Sequence, residues 1–286
     1  MEVATGIHLL QQSESDKSTE LFSAHSSLQM SIRLRQDGIS FLMASTSERK
    51  ILYFKNYFVE NSPLKFKLLE KILVTEQPTL LYADSIKWSY YSEKFTIIPE
   101  ELYNPALKEQ YFEHTVETGD DELIGDVYSG VVKAHFLFAI HLELHQLIIR
   151  YSPTRFKLSN VLIADKIMRI QEVSGQGVYI DLTKNGFFIL IGNKGKLQLY
   201  NYFPAETPED LIYHVLFSME QFYLNAEKVP VYISGCITEG DENHSILKKF
   251  IKNCNFSGLL KGVELHPLAG DKSIHHFFYT QVLDLF

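Results

Sequence analysis

Two short runs of this 286-residue chain place polar side chains at the ends of apolar strands, where they could do chemistry. In Tyr179-Ile180-Asp181-Leu182 the Asp181 carboxylate faces away from its aliphatic neighbours, because successive strand side chains point to opposite faces. Such a carboxylate can ligate a bound group, or it can accept hydrogen bonds from the amides of the following turn. With no second acidic residue in a matching position, the turn role is the simpler account. In Ile32-Arg33-Leu34-Arg35 two guanidiniums share one strand face. Their fork geometry suits phosphate, sulfate or a partner's carboxylates, and a solvated sheet edge accounts for them equally well. His141 and His145 stand four apart on a predicted helix, a spacing that lets two imidazoles share a metal. Glu143 is not where an H-E-x-x-H motif needs it, however, and no third ligand follows from the spacing. His275 and His276 are adjacent and would point to opposite sides of a strand. No G-x-S-x-G elbow, Walker loop or zinc-spaced Cys/His set occurs. No catalytic residue and no metal ligand is therefore assigned.

The elements that must position these residues are written twice. Ser31-Ile-Arg-Leu-Arg-Gln-Asp-Gly-Ile-Ser-Phe-Leu42 and Tyr179-Ile-Asp-Leu-Thr-Lys-Asn-Gly-Phe-Phe-Ile-Leu190 are both alternating strands broken by a glycine turn. Asp37-Gly38 and Asn185-Gly186 each predict a two-residue hairpin turn at positive φ. A third strand in each half ends in the same tripeptide, Asn56-Tyr57-Phe58 and Asn201-Tyr202-Phe203, and Ser62-Pro63 and Thr207-Pro208 follow as helix starts. Leu64 to Leu73 and Leu211 to Phe222 have helical spacing, with Pro78 closing the first helix and Thr79 to Tyr82 and Val229 to Ser234 as the next strands. Between the copies the pattern predicts a strand at Phe95–Pro99, a helix over Glu100–Phe112, a strand within Val131–Ile140, a helix over Leu142–Tyr151 and another from Ser159. After the second copy it predicts a helix over Ser245–Cys254 and strands at Val263–Leu268 and Phe277–Leu283. Residues 1–27 read as a polar lead-in, 28–172 as the first domain and 173–286 as the second.

Bulk properties narrow the function classes. An apolar fraction of 45% with 20 Phe and 16 Tyr supplies two cores and excludes disorder for most of the chain. A net charge of −8 opposes sequence-independent nucleic-acid binding, which needs a cationic face. Cys236 and Cys254 form no CxxC pair and read as buried reduced thiols. The first twelve residues lack a signal-peptide pattern and no apolar run is long enough to span a bilayer, so a cytoplasmic protein without membrane insertion is expected.

The repeated unit of three antiparallel strands, a helix and a parallel strand resembles the actin-like ATPase fold, an α/β, ribonuclease H-like architecture. V-Y-I-D-L-T-K-N-G-F-F-I-L-I-G-N, the helix from Pro208, V-P-V-Y-I-S-G-C and the Ser159–Gln171 segment are similar to the actin-like proteins of bacterial pilus assembly. An uncharacterised bacterial family with this fold fits as well. The resemblance spans about residues 28–284. It implies a duplicated fold: two domains, each with a mixed five-stranded sheet flanked by helices, meeting at a cleft.

In nucleotide-binding members of that superfamily the first hairpin of each domain grips phosphate through Asp-x-Gly, the glycine letting backbone amides approach. Here the second copy keeps Asp181 but has Thr183 and Lys184 at and after the glycine position, and the first copy has Arg33 and Arg35 where Asp and Gly belong. The adenosine-side Ser-Gly-Gly appears as Ser234-Gly235-Cys236. If a nucleotide binds, the resemblance assigns Asp181, Thr183, Lys184, Ser234 and Gly235 to it. Otherwise Arg33 and Arg35 mark a cleft for an anionic group, such as sulfate, phosphate or an acidic side chain, held without a metal. The expectation is a scaffold or assembly adaptor with a protein partner and no cofactor. The alternative is an ATPase or kinase-like enzyme using Mg²⁺-ATP through atypical loops.

Overall fold

A computed structural model describes residues 7–12, 18–59, 65–152, 156–269 and 276–286. The first half contains β1 (Ile7–Gln12), α1 (Ser18–Ser23), β2 (Leu28–Arg35), β3 (Gly38–Ser45), β4 (Lys50–Val59), α2 (Lys65–Leu80) and β5 (Ser85–Tyr91). Next come β6 (Phe95–Pro99), α3 (Lys108–Glu113), β7 (Glu122–Ser129), β8 (Ala134–His141), α4 (Leu142–Tyr151), β9 (Lys157–Leu158) and α5 (Ser159–Ser174). The second half has β10 (Gln176–Leu182), β11 (Gly186–Asn193), β12 (Lys196–Pro204), α6 (Pro208–Gln221), β13 (Val231–Gly235), α7 (Glu242–Phe250), β14 (Cys254–Phe256), β15 (Glu264–Leu265) and α8 (Tyr279–Leu285).

One strand order recurs. The path β4-β3-β2-β5-β9 in the first sheet matches β12-β11-β10-β13-β14 in the second. In both, the first three strands are antiparallel and the last two run parallel to the innermost strand of the hairpin. The first sheet is larger than the expected five strands, because β1 and β15 add to β4. Residues expected to be a polar lead-in thus include a strand, β1, and a helix, α1, whose Leu21 and Phe22 are buried. β6, β8 and β7 form a third sheet inserted between β5 and α4.

The hairpins depart from the expected turns in an instructive way. Arg35 pairs with Gly38 and Leu182 with Phe187, so Gly38 and Gly186 open the return strands rather than sit inside a positive-φ turn. Their real constraint is close approach. A Cβ on Gly38 would run into the Tyr57 carbonyl oxygen, and one on Gly186 into that of Phe203. The matching tripeptides are also out of step, since Phe58 pairs with Gly38 whereas Pro204 pairs with Gly186.

Thr207 caps α6 as expected, its hydroxyl accepting from Asp210 N–H while Asp210 returns a bond to the Thr207 N–H, and α4 spans the predicted residues. Ser62 and Pro63 lie outside the described residues. Pro78 does not end α2 but sits in its last turn, so no strand forms at Thr79–Tyr82. Glu100–Phe112 forms two 3₁₀ turns before the short α3, the second capped by Asn104 ahead of Pro105. The expected strand at Phe277–Leu283 is instead a 3₁₀ turn running into α8. The reason lies in its packing: Phe278, Val282 and Leu285 enter a core with Phe54 and Leu42, while Tyr279 and Leu283 enter the larger core beneath the first sheet. A helix buried on nearly every side shows no exposed charged stripe, the usual sign of its period. α8 packs against β2, β3 and β13, and against α5, the last helix of the first half.

Candidate functional site

The ends of β2 and β10 converge where the two halves meet, and α8 enters between them. This brings Arg33, Asp181 and Thr280 together. The Arg33 guanidinium donates to Thr280 Oγ1 and to the Thr280 carbonyl oxygen, both at 2.8 Å. It also pairs with Asp284 Oδ2, at 2.8 Å from Nη2 and 3.2 Å from Nε. Both side chains of this pair are almost fully buried, at 3% and 1% exposed. Ser89 Oγ donates to the same carboxylate oxygen at 3.0 Å, and Ser31 Oγ at 3.4 Å. The Thr280 hydroxyl reaches Asp181 Oδ2 at 3.1 Å, so one side chain of α8 bridges the two sequence-predicted residues.

Asp181 is held on its other oxygen by Ser234 Oγ at 2.7 Å. Burial raises its pKa, opposed by the Ser234 hydrogen bond, the Arg33 charge and the Thr280 hydroxyl. Ser234 lies on β13 beside Asp181 because those two positions are register partners. Gly235 follows at φ +85°, where an added Cβ would meet the Leu182 carbonyl oxygen. Burial pushes the Cys236 thiol up to about 12, against the pull of Arg35, which makes it a poor nucleophile at neutral pH.

Arg35 belongs to a second cluster. It donates to Asp37 Oδ1 at 2.7 Å, Asn56 Oδ1 at 2.8 Å and Ser40 Oγ at 3.2 Å. Burial works against its charge, but the Asp37 partner leaves its pKa raised overall. Gln281 of α8 joins this layer, accepting from Ser40 Oγ at 2.8 Å and donating to the Ser31 carbonyl at 3.0 Å. Glu93, in the turn after β5, faces Asp37, Arg35, Lys65 and, from the second half, Tyr202. Burial and the Asp37 charge push its carboxyl up to about 7.

The remaining predicted residues divide. Thr183 closes its own hairpin, its N–H donating to the Gly186 carbonyl at 2.8 Å. Lys184 is exposed and lines a separate recess beside Thr207 and Asp241, away from the Arg33 cluster. His141 caps α4 by accepting from Glu143 N–H, while His145 packs edge-on to Phe156. His275 lies outside the described residues, and His276 bonds the Ile237 carbonyl at 2.6 Å. Among the described residues no group of three or more metal-ligating side chains converges.

What remains of the cleft is a cavity of about 40 Å³ lined by Arg33, Arg35, Asp37, Asp181, Cys236 and Thr280, among others. That is room for a few waters, and Asp37 Oδ2, buried without a protein partner, is the group such a water would serve. Sequence reasoning missed Thr280, Gln281 and Asp284 because it made their segment a strand. Their spacing of i, i+1 and i+4 was the available signal for a shared helix face.

The sequence profile of DUF3822, described as a protein of unknown function, matches residues 17–254. The chain belongs to the DUF3822 family. A structure from Bacteroides thetaiotaomicron VPI-5482, described as a protein with actin-like ATPase fold and unknown function, is similar at 21% identity. It covers 92% of this chain and 97% of its own, with a TM-score of 0.69. The PilM–PilN type IV pilus biogenesis complex matches at 10% identity, covering 90% of this chain and 97% of the other, with a TM-score of 0.57. A search of curated proteins gave no significant match. The DUF3822 chain therefore has the actin-like ATPase fold that the repeated hairpins implied, and no helix among its described residues is long and apolar enough to cross a membrane.

Proposed function

We propose that this DUF3822 protein is a non-catalytic, cytoplasmic member of the actin-like fold that acts as a scaffold or assembly adaptor and requires no cofactor. One observation carries the reading: the interdomain cleft is filled by the chain's own side chains. The Arg33 and Arg35 guanidiniums, standing where phosphate-binding groups would stand, are neutralised by Asp284 and Asp37. The space left, about 40 Å³, is far below the ~300–1,000 Å³ of small-molecule sites. Arg33 lies on the far side of Thr280 from Asp181, so a divalent cation at Asp181 would meet a fixed positive charge close by. PilM, a similar fold, is found in a complex with PilN, which supports a protein partner. The recurring strand order supports an internal duplication, with halves at 28–172 and 173–286. The net charge of −8 disfavours nucleic acid as the partner.

The test is a thermal-shift series with Mg²⁺-ATP, Mg²⁺-ADP and Mg²⁺-GTP. A nucleotide at 100 times its dissociation constant stabilises the folded state by ~2.7 kcal/mol. The proposal expects no nucleotide-dependent rise in Tm. A rise that requires Mg²⁺ and disappears in Asp181→Ala would establish the nucleotide-binding alternative.

A further inference from the structure

The second sheet is covered on both faces, and only one of them meets the first half. On that face Tyr179, Phe188, Leu190 and Tyr200 enter the larger core with residues of the first sheet. On the other, Leu211, Val215 and Met219 of α6 and Leu247 of α7 share a separate core with β10, β11 and β13. The outer surface of the α6–α7 layer is therefore turned away from the first half. The two helices pack on each other and run in the same direction. Thr207 and Pro208 at the start of α6 share a recess with Asp241 and Glu242 at the start of α7. Beyond the far ends, Lys252 N–H donates to the Ala226 carbonyl at 3.1 Å.

This outer layer carries aromatic surface with nothing on it. Tyr213 and Phe217 stand one turn apart on α6, their rings stacked with centroids 6.1 Å apart. They are 63% and 47% exposed, Phe250 at the end of α7 is 46% exposed, and Tyr223 in the turn after α6 is 98% exposed. Tyr128 is the one other large aromatic side chain this exposed among the described residues. At about 200 Å² for a whole aromatic side chain, the four present on the order of 500 Å². That equals the largest apolar patch of a typical monomer, which is often functional.

Charge divides along the same axis. The shared start of the helices holds Glu206, Glu209, Asp210, Asp241 and Glu242, with Lys184 as the one base of the recess. The shared end holds Lys228, Lys248, Lys249 and Lys252, against Glu220 and Glu227. Asp210 and Asp241 are occupied in helix caps, and Lys248 donates to the Cys254 carbonyl. Glu206, Glu209, Glu242, Lys249 and Lys252 form no ion pair with any described residue. The 14 residues of α6 separate the two ends by about 20 Å.

We propose that the α6–α7 face binds the same face of a second copy of this chain, with a two-fold axis laying the helix pairs antiparallel. An interface of that symmetry needs a surface complementary to itself, and opposite charge at the two ends of one patch supplies it. The rotation sets the acidic end of each copy on the basic end of the other, twice, with the aromatic rings between. It also sets the positive start of each helix pair against the negative end of the other. Other occupants answer only half of the surface. A basic peptide leaves lysine facing lysine, and an anionic membrane or nucleic acid is repelled by the acidic end. Two such faces remove about 1,000 Å² of aromatic surface, and the charged ends bring the total into the ~1,200–2,000 Å² of a specific interface. This goes beyond the adaptor reading and makes no use of the cleft, which lies on the other side of the second sheet.

Sedimentation velocity of the wild-type chain should show a monomer–dimer equilibrium in the micromolar range. Glu209→Lys with Glu242→Lys puts lysines at both ends of the face, and Lys249→Glu with Lys252→Glu puts carboxylates at both. Each double variant alone should dimerise at least tenfold more weakly than wild type. An equimolar mixture of the two should dimerise within threefold of wild type, because the two-fold axis then brings opposite charges together at both ends. Phe217→Ser should weaken the dimer at least tenfold. All five substituted side chains are exposed, and an unchanged Tm checks that each variant folds. Should a double variant unfold, Glu242→Lys mixed with Lys249→Glu repeats the test with one change per chain. A wild-type chain that stays monomeric at a hundred micromolar, a mixture no better than its separate components, or growth into open-ended oligomers would overturn the proposal.

Discussion

The buried Arg33–Asp284 pair offers the sharpest quantitative test of how the cleft is held. Asp284→Ala leaves a guanidinium that is 3% exposed with only the Thr280 oxygens as partners, and strips Ser89 and Ser31 of their shared acceptor. Breaking a buried ion pair by removing one member costs about 3–5 kcal/mol. Against a typical domain stability of about 5–15 kcal/mol, that is a large fraction of the whole. Arg33→Met strands the carboxylate instead and should cost a similar amount. Arg33→Met with Asp284→Leu removes both charges and fills the space with apolar groups. Such replacements are often neutral or better, so the double variant should lie within about 2 kcal/mol of wild type. The cycle would then return a coupling energy of at least about 4 kcal/mol, well above the ~0.5 kcal/mol scatter of additive sites. Urea denaturation followed by tryptophan fluorescence reads this directly, because Trp88 is buried on β5 beside Ser89. The midpoints should move with an unchanged slope. Single variants that each cost less than about 1 kcal/mol, or a double variant as unstable as the sum of the two, would refute the argument.

Two further predictions follow from neighbouring groups. The Glu93 carboxyl, raised from 4.5 to about 7, binds its proton more tightly in the folded state, so its contribution is full below about pH 4.5 and is lost as pH rises through about 7. This corresponds to about 3 kcal/mol, and Glu93→Gln should flatten that part of a plot of urea midpoint against pH. Asp37, Arg35, Lys65 and Tyr202 are the titratable groups facing it, and an unchanged slope between pH 4.5 and 7 in the variant would contradict the assignment. Gly235→Ala should lower Tm through about 1–3 kcal/mol of backbone strain at φ +85°, with collision against the Leu182 carbonyl adding to it; a Tm equal to wild type would show that this turn relaxes freely.

The parts of this fold that could be read from the sequence are those whose cause is local. The two hairpins were visible because alternating strands meet at a glycine, although the glycines serve close approach to Tyr57 and Phe203 rather than turn dihedrals. The α6 cap was visible because Thr207 and Asp210 are three residues apart. Asp181 and Arg33 were visible as strand-end polar residues, but they stand in two different sheets and it is Thr280 of α8 that joins them. Their partners carried only the i, i+1, i+4 spacing as a local signal. Thr280 and Asp284 are 247 and 251 residues from Arg33, in a stretch whose aromatic density mimics a strand. A longer-range rule was nonetheless available. A guanidinium on the inner strand of a sheet has to find a carboxylate or stay in water, and Arg33 is buried, with the buried Ile32, Leu34 and Tyr91 close by. The demand for an acid was therefore written at Arg33 itself, and α8 meets it by placing Thr280 and Asp284 on one face, with Thr280 also reaching Asp181. The same demand links fold to chemistry in the cleft: once α8 satisfies both arginine-bearing strand ends, opening that space for an incoming anion means breaking bonds that the fold already uses.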